Sequence, residues 1–118
     1  MTLPAAVKSH HTAWVTAPDA PPRAVRYAVA DDRLVCFGDD GLASVPDGSR
    51  VSVAVHEIAG GQMLATFAAS VHRLTPDAID TNALVELLEH VSLGRTLAEV
   101  KANLEEQRHQ RRVLELVS

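Results

Sequence analysis

Cysteine and aromatic residues are scarce in this chain. Its 118 residues include one cysteine, Cys36, and aromatic residues make up only 3% of the total. A single cysteine excludes an internal disulfide and any zinc or iron–sulfur site built from cysteines. The six histidines show no spacing typical of metal ligands, such as His-x-x-x-His, so the sequence predicts no metal site.

An excess of positive charge and long apolar runs are also missing. Eleven Lys and Arg residues stand against fifteen Asp and Glu residues, which gives a net charge of −4. An acidic chain lacks the main driving term for sequence-independent binding to nucleic acid. No apolar run approaches the roughly 18 residues of a membrane span, and the first residues carry no secretory-type apolar segment. We therefore expect a cytoplasmic protein without a nucleic-acid or membrane partner.

Length and hydropathy fit one globular domain over residues 1–118. Hydrophobic residues make up 47% and charged residues 22%, which is ordinary for a globular chain. Between about residues 11 and 74, apolar residues recur at every second position, as in strands with one buried face. The predicted strands cover residues 11–17, 23–29, 34–37, 51–56 and 62–74. Because closure removes exposed edges, five such strands favour a small antiparallel barrel over an open sheet.

Four connections separate these strands. Residues 18–22 include three prolines, which cannot donate to a sheet ladder, so they are predicted to form a loop. Residues 30–33 are short and polar, as in a tight hairpin. Pro46 and Gly48 suit a tight turn, because proline fixes φ and glycine adopts a positive φ. The last hairpin is predicted to turn at residues 59–61.

After residue 74 the apolar period becomes that of a helix. Thr75, Pro76 and Asp77 are typical of a helix start, with an N-cap, a proline and an acid in the first turn. A stripe at helical spacing follows, made of Leu84, Leu87, Leu88 and Val91. The sequence therefore predicts a first C-terminal helix that begins at residue 76.

A second C-terminal helix is predicted from a capping box. Thr96 and Glu99 have the spacing in which each side chain accepts a hydrogen bond from the other's backbone N–H. This helix is predicted to run to residue 117, so that two helices occupy residues 76–117. Apolar side chains at its end would face water in a monomer, and they predict a homodimer. These side chains are Val113, Leu114, Leu116 and Val117.

A basic run interrupts the apolar stripe of the second helix. Residues 108–112 include three arginines and a histidine. Such a run allows a contact with nucleic acid, but Glu105 and Glu106 precede it and the whole chain is acidic. A solvated helix face is therefore the favoured interpretation.

The order of these elements resembles a known family. Residues 12–17, 23–38 and 50–77 follow the pattern of strands and turns of the FMN-binding split-barrel proteins, the small relatives of pyridoxamine 5′-phosphate oxidase. The resemblance covers about half of the chain and includes no catalytic signature. It implies a mainly β fold, in which a small antiparallel split β-barrel is followed by two α-helices. It also implies a homodimer with a cofactor in the groove between the subunits.

The resemblance also implies candidate site residues. Members of the family hold FMN or a deazaflavin, while others bind haem or no known ligand. Arg, Lys, Ser or Thr residues of the second strand and of the segment after the third hold the cofactor phosphate, because a dianion needs charge-assisted donors. The residues that match these positions are Arg23, Arg26, Ser44 and Arg50. Where the family often has a basic helix, residues 38–44 of this chain carry two aspartates and no base.

Several other residues have two interpretations. Tyr27 is predicted to lie in the core, with a ligand groove as the alternative. Trp14 is predicted to be the main core anchor, although its aromatic face would also suit a flat cofactor ring. Cys36 is expected to be buried and inert. His56 and His72 are expected to be isolated, with a shared acid–base site as the alternative, since they stand near the ends of hairpin partners.

The sequence is compatible with two functions. The first is a flavin- or deazaflavin-nucleotide-binding protein that acts as an oxidoreductase, in which the cofactor ring carries the hydride chemistry. The second is a non-enzymatic homodimeric binding module on the same fold that holds no cofactor. Fold alone does not decide between them, and the sequence identifies no catalytic residue.

Overall fold

The computed structural model describes residues 5–8, 10–18, 20–38, 42, 45–56, 62–91 and 96–118. These residues include six strands. In chain order they are β1 (Thr12–Thr16), β2 (Arg23–Ala30), β3 (Arg33–Phe37), β4 (Arg50–His56), β5 (Met63–Leu74) and β6 (Val113–Val117). The first five lie where the period-two pattern predicts strands.

Helices flank the strands. The described residues form α1 (Ala5–Lys8) before β1, and α2 (Thr81–Val91), α3 (Leu97–Ala102) and α4 (Leu104–Gln110) between β5 and β6. A short 3-10 helix at Pro76–Ala78 precedes α2. In the part of the chain that the structure describes, none of these helices is both long and apolar enough to cross a bilayer.

The six strands close into one antiparallel barrel. Their order around the barrel is β1, β2, β3, β6, β5 and β4, and β4 pairs again with β1. Every pair of neighbours is antiparallel. The prediction of a small antiparallel barrel with helices in the C-terminal part is confirmed. Closure pairs the backbone groups that an open sheet would leave at its edges.

The last residues form a strand, so the prediction of a helix that runs to residue 117 is wrong. α4 ends at Gln110, and β6 pairs with β3 on one side and with β5 on the other. Leu114 and Leu116 belong to the barrel core, while Val113 packs beneath the helices. Because both faces of β6 carry buried apolar residues, its sequence lacks the alternation of a half-buried strand. These side chains close the barrel of their own chain and no longer support a homodimer.

Side chains from all six strands fill the barrel. Tyr27 of β2 stands opposite Cys36 of β3, which in turn stands opposite Leu114 of β6. All three are buried, so the core continues without a gap across these strands. Full burial of one Val or Leu side chain stabilises a fold by about 1.5–3 kcal/mol. The interior is therefore a main source of stability, and Cys36 is buried as predicted.

A second apolar cluster lies outside the barrel, beneath the helices. Leu84, Leu87 and Leu88 of α2 lie on its helical side, which confirms these three positions of the predicted stripe, while the side chain of Val91 lies outside the described part. On the barrel side the cluster contains Ala28, Val35, Phe37 and Val113. The part of the barrel formed by β3, β6 and the end of β2 is thus buried on both faces. We call it the covered wall.

The helix after β5 begins later than predicted. Residues 76–78 form a 3-10 helix, and the Thr75 side chain makes no capping hydrogen bond there. α2 starts at Thr81, where Asp80 Oδ1 accepts a hydrogen bond from the Ala83 N–H at 2.9 Å. Asp80 therefore provides the N-cap, since an aspartate accepts from the first helical turn as well as threonine does. The capping box predicted for the second helix is confirmed at α3.

Arg108 ties α4 to the segment before α2. Its side chain is buried, and its guanidinium donates to the Pro76 carbonyl at 3.0 Å and to the Ile79 carbonyl at 2.6 Å. It also donates to Thr81 Oγ1 at 2.8 Å and pairs with Glu105 at 3.3 Å. The interpretation of this position as part of a solvated helix face is wrong, because the arginine satisfies carbonyls of the 3-10 segment.

Two of the predicted turns are confirmed. Asp31 and Asp32 both have positive φ, of 49° and 60°, which is the geometry of a two-residue hairpin between β2 and β3. At the start of β4 the Ser49 N–H donates to the Pro46 carbonyl, and Gly48 has a φ of 86°. The turn predicted at residues 59–61 lies outside the described residues.

Candidate functional site

One side of the barrel differs from the covered wall. No described residue of β1 or β4 belongs to the cluster beneath the helices. At its centre Trp14 of β1 is 44% exposed, opposite Ala24 of β2 and Ala54 of β4. The prediction of Trp14 as the main core anchor is therefore wrong, because its strand position points outward. We call the outer surface around Trp14, formed by the outward positions of β1 and the neighbouring outward positions of β2 and β4, the Trp14 face.

Small polar residues surround the indole. The outward positions of β1 on either side of Trp14 are Thr12 and Thr16, and Thr16 stands opposite Ser52 of β4. Beyond β4, Thr66 of β5 stands opposite Ala54. These side chains are shorter than the indole, so the indole projects from a surface that carries hydroxyl groups. Met63, which is 57% exposed, lies on β5 three residues before Thr66.

Two of the predicted site residues lie on this outer surface. Arg26 is exposed on β2 opposite Thr12, one outward position beyond Ala24. Diagonal neighbours on one face of a sheet stand about 7–8 Å apart, which is the separation expected between Trp14 and Arg26. Arg50 is exposed at the start of β4, and its Nη1 donates to Ser70 Oγ at 2.9 Å.

The other predicted residues lie elsewhere. Arg23 stands opposite the inward-facing Val15, so it belongs to the inward set of β2 and lies at the barrel mouth. Because Arg23 and Arg26 are three residues apart on a strand, they point to opposite faces and cannot share one phosphate. Ser44 lies outside the described residues. The structure therefore brings Arg26 together with Trp14 and leaves Arg23 on another surface.

Tyr27 lies inside the barrel, in agreement with its core interpretation. Its side chain is fully buried, and its hydroxyl donates to the Val7 carbonyl at 2.6 Å. Burial raises the pKa of Tyr27 to about 12, and the negative charge of Glu86 acts in the same direction. The hydrogen bond fixes α1 against the barrel, where Val7 joins the interior core.

The two strand histidines are far apart. The residue opposite His56 is Met63, and His72 lies nine residues further along β5, which corresponds to about 30 Å. The expectation that they are isolated from each other is confirmed and the alternative of a shared acid–base site is wrong, because antiparallel pairing places the end of β4 beside the start of β5. His72 Nδ1 lies 3.9 Å from an Asp47 carboxylate oxygen. Among the described residues, no three His, Cys, Asp or Glu side chains gather as metal ligands would.

The sequence carried a signal for the orientation of Trp14. Ala13, Val15 and Ala17 alternate with Thr12, Trp14 and Thr16 along β1. The first set is buried, and the two threonines mark the other set as outward. The scarcity of aromatic residues suggested a core role for Trp14, but the strand period outweighs that argument.

No protein-family model, no curated protein and no solved structure matches this chain. The resemblance to the FMN-binding split-barrel proteins therefore stays a prediction. Support for a function of this chain comes from the geometry of the Trp14 face.

Proposed function

We propose that the chain binds a flavin or deazaflavin nucleotide on the Trp14 face. The single observation that carries this proposal is the half-exposed indole between two alanines. An exposed tryptophan with small neighbours offers one open aromatic face. Planar ring systems stack on such faces in an offset arrangement, and burying both partners adds apolar stabilisation.

The neighbourhood of the indole fits a tricyclic ring. Ala24 and Ala54 carry no atom beyond Cβ, so a ring that extends past the indole meets no bulky side chain at the two positions directly opposite Trp14. Thr16 and Ser52 carry hydroxyl groups that donate or accept hydrogen bonds at the ring edge. A ring with carbonyl and N–H groups along one edge matches the exposed indole and the hydroxyl groups beside it.

Arg26 fits the phosphate end of the same ligand. A guanidinium forms two parallel charge-assisted hydrogen bonds with a phosphate, and its charge remains at every physiological pH. Its diagonal position relative to Trp14 leaves room for a short linker between ring and phosphate. Arg50 lies beyond Ser52 and Thr16, at the opposite end of the face from Arg26, so it does not join Arg26 at the phosphate. In this proposal the protein orients the ring and holds the phosphate, while the bound cofactor supplies hydride transfer.

We further propose that a second copy of the chain covers the Trp14 face. Trp14 and Met63 are large apolar side chains that remain exposed in the single chain. Exposed apolar surface of this kind is typical of an interface. The resemblance implies a cofactor between two subunits, and a dimer through this face would enclose the ring between them. The apolar residues at the C-terminus do not support this homodimer, because they belong to β6 of the barrel.

A binding experiment with matched variants tests the cofactor proposal. Purified protein would be titrated with FMN and with a deazaflavin nucleotide by equilibrium dialysis, after its absorbance spectrum is recorded. We expect saturable binding of one of the two, weakened roughly tenfold or more by Trp14→Ala and by Arg26→Gln. Arg112→Gln is the control, because Arg112 is exposed and precedes β6, which does not border the Trp14 face.

The alternative is a homodimeric binding module without a cofactor. One observation favours it, because the two arginines of β2 point to opposite faces and only one can serve a phosphate. A colourless protein that binds neither nucleotide would exclude the cofactor proposal. Light scattering would then decide the alternative, which requires a dimer that Trp14→Ala weakens.

A further inference from the structure

A cavity opens at the barrel mouth, near the start of β2. Its volume is about 350 Å³, at the lower end of the range for small-molecule sites. Its lining includes described residues of the connection between β1 and β2 and described residues of the connection between β3 and β4. Apolar side chains line its floor, namely Val15, Ala17, Leu42 and Val45.

The walls of this cavity are held by local backbone hydrogen bonds. The Ala20 N–H donates to the Ala17 carbonyl, and the Val45 N–H donates to the Leu42 carbonyl. Pro18, Pro21 and Pro46 also line the cavity and have fixed φ angles. A cavity with such walls loses little conformational entropy when a ligand enters, which favours binding.

One charged residue is found among the described lining residues, and it is Arg23. Arg23 makes no ion pair with any residue in the described part of the chain. The carboxylate of nearby Asp47 is directed elsewhere, since its Oδ1 accepts from the Arg73 N–H at 2.7 Å. The described lining of the mouth therefore combines an apolar floor with one positive charge and the hydroxyl group of Ser49.

We propose that the barrel mouth binds a small carboxylic acid with an apolar body. The carboxylate pairs with the Arg23 guanidinium and the apolar body occupies the space over Val15 and Leu42. A planar guanidinium binds a carboxylate through two parallel hydrogen bonds, which makes the anionic group the specific part of the ligand. The volume limits the ligand to the size of a medium-chain fatty acid or an aryl carboxylate.

This site is separate from the proposed cofactor site. Arg23 and Val15 belong to the inward sets of their strands, whereas Trp14 and Arg26 belong to the outward sets. A ligand in the mouth therefore contacts neither Trp14 nor Arg26. The two proposals stand or fall independently, because different variants disrupt them.

The test compares an acid with its neutral counterpart. Octanoate and octanol would each be titrated into the full chain and followed by ¹⁵N–¹H NMR, which reports binding and retention of the fold together. We expect saturable shifts at the mouth with octanoate, and binding of octanol roughly tenfold weaker or more. Arg23→Gln should weaken octanoate binding to the level of octanol, and the control Arg112→Gln, at an exposed arginine outside the described lining of the cavity, should leave both affinities unchanged.

A second variant keeps the test independent of charge. Ala17→Leu places a larger side chain in the cavity and fills part of its space. We expect it to abolish binding of both probes while the spectrum stays that of a folded barrel. If wild-type protein shows no saturable shifts with octanoate or benzoate, the proposal is wrong. It is equally wrong if Arg23→Gln binds octanoate as tightly as wild type does.

Discussion

The covered wall and the Trp14 face belong to one barrel. The covered wall is buried on its inner and its outer surface, whereas β1 and β4 of the Trp14 face are buried on their inner surface only. On the covered wall, β3 has buried residues at four successive positions, Leu34 to Phe37. On the other side, β4 alternates between buried and more exposed positions. The first pattern follows from packing between the barrel interior and a helical layer. The second leaves a surface where an exposed indole can meet a ligand or a partner.

The covered wall gives the largest expected effect. Leu116 of β6 is fully buried in the barrel, so Leu116→Ala should lower the free energy of unfolding by about 3 kcal/mol. Val117→Ala, at the adjacent outward position opposite Ser70, should cost less than about 1 kcal/mol. Urea denaturation measures both. Equal losses for the two variants would contradict β6 as a strand with one face in the barrel core.

Arg108 should give the next largest effect. Arg108→Met leaves the Pro76 and Ile79 carbonyls without their donor, and we expect a loss of about 2–3 kcal/mol in the free energy of unfolding. Arg112→Met is the matched control on the same segment, and its exposed side chain should contribute nearly nothing. Thermal denaturation of the pair checks this contrast. An equal stability of the two variants would show that the Arg108 hydrogen bonds do not stabilise the helical layer.

The interior that both sides share is tested through Tyr27. Tyr27→Phe removes the hydrogen bond to the Val7 carbonyl and should cost about 1–1.5 kcal/mol. The tyrosine pKa is raised from 10.0 to about 12 in the fold, so folding favours the protonated form. The stabilisation of the fold by the protonated Tyr27 hydroxyl is complete below pH 10 and is lost as the pH rises towards 12.

The pH dependence separates this effect from simple loss of packing. Wild-type stability should fall between pH 10 and 12 more steeply than the stability of Tyr27→Phe, as measured by urea denaturation at each pH. Parallel pH profiles for the two proteins would mean that the Tyr27 hydroxyl is not buried in the barrel.

The smallest expected effect lies in the hairpin that leads into the covered wall. Asp32 has a positive φ, so Asp32→Gly should raise the free energy of unfolding by about 0.5–1 kcal/mol. The exposed ion pair between Lys8 and Asp32 offsets little of this gain. Lys8→Met measures that offset separately. A destabilised Asp32→Gly variant would show that the aspartate side chain, and not the backbone, determines this turn.

Features of the fold that have a local sequence signature could be predicted from the sequence. Strands such as β4 alternate apolar and polar residues, and the Asp31-Asp32 hairpin and the Thr96–Glu99 capping box have local signatures. These features need no knowledge of distant residues. They account for five of the strands, for the barrel and for the start of α3.

Features that depend on distant residues could not be predicted in the same way. β6 resembles the apolar end of a helix in sequence, because its second buried face exists only after the helices pack on Val113. Arg108 resembles a solvated residue, because its partners lie about thirty positions earlier in the chain. The separation of Arg23 from Arg26 required the strand register, which pairing with β1 determines.

The fluorescence of Trp14 tests the central claim most directly. The chain has a single tryptophan, so its emission reports on the Trp14 face alone. FMN or a deazaflavin nucleotide stacked on the indole should quench this emission in a saturable way, and Arg26→Gln should shift the titration to higher nucleotide concentration. An emission that neither nucleotide changes, apart from the linear loss caused by absorption of the exciting light, would contradict the proposed site.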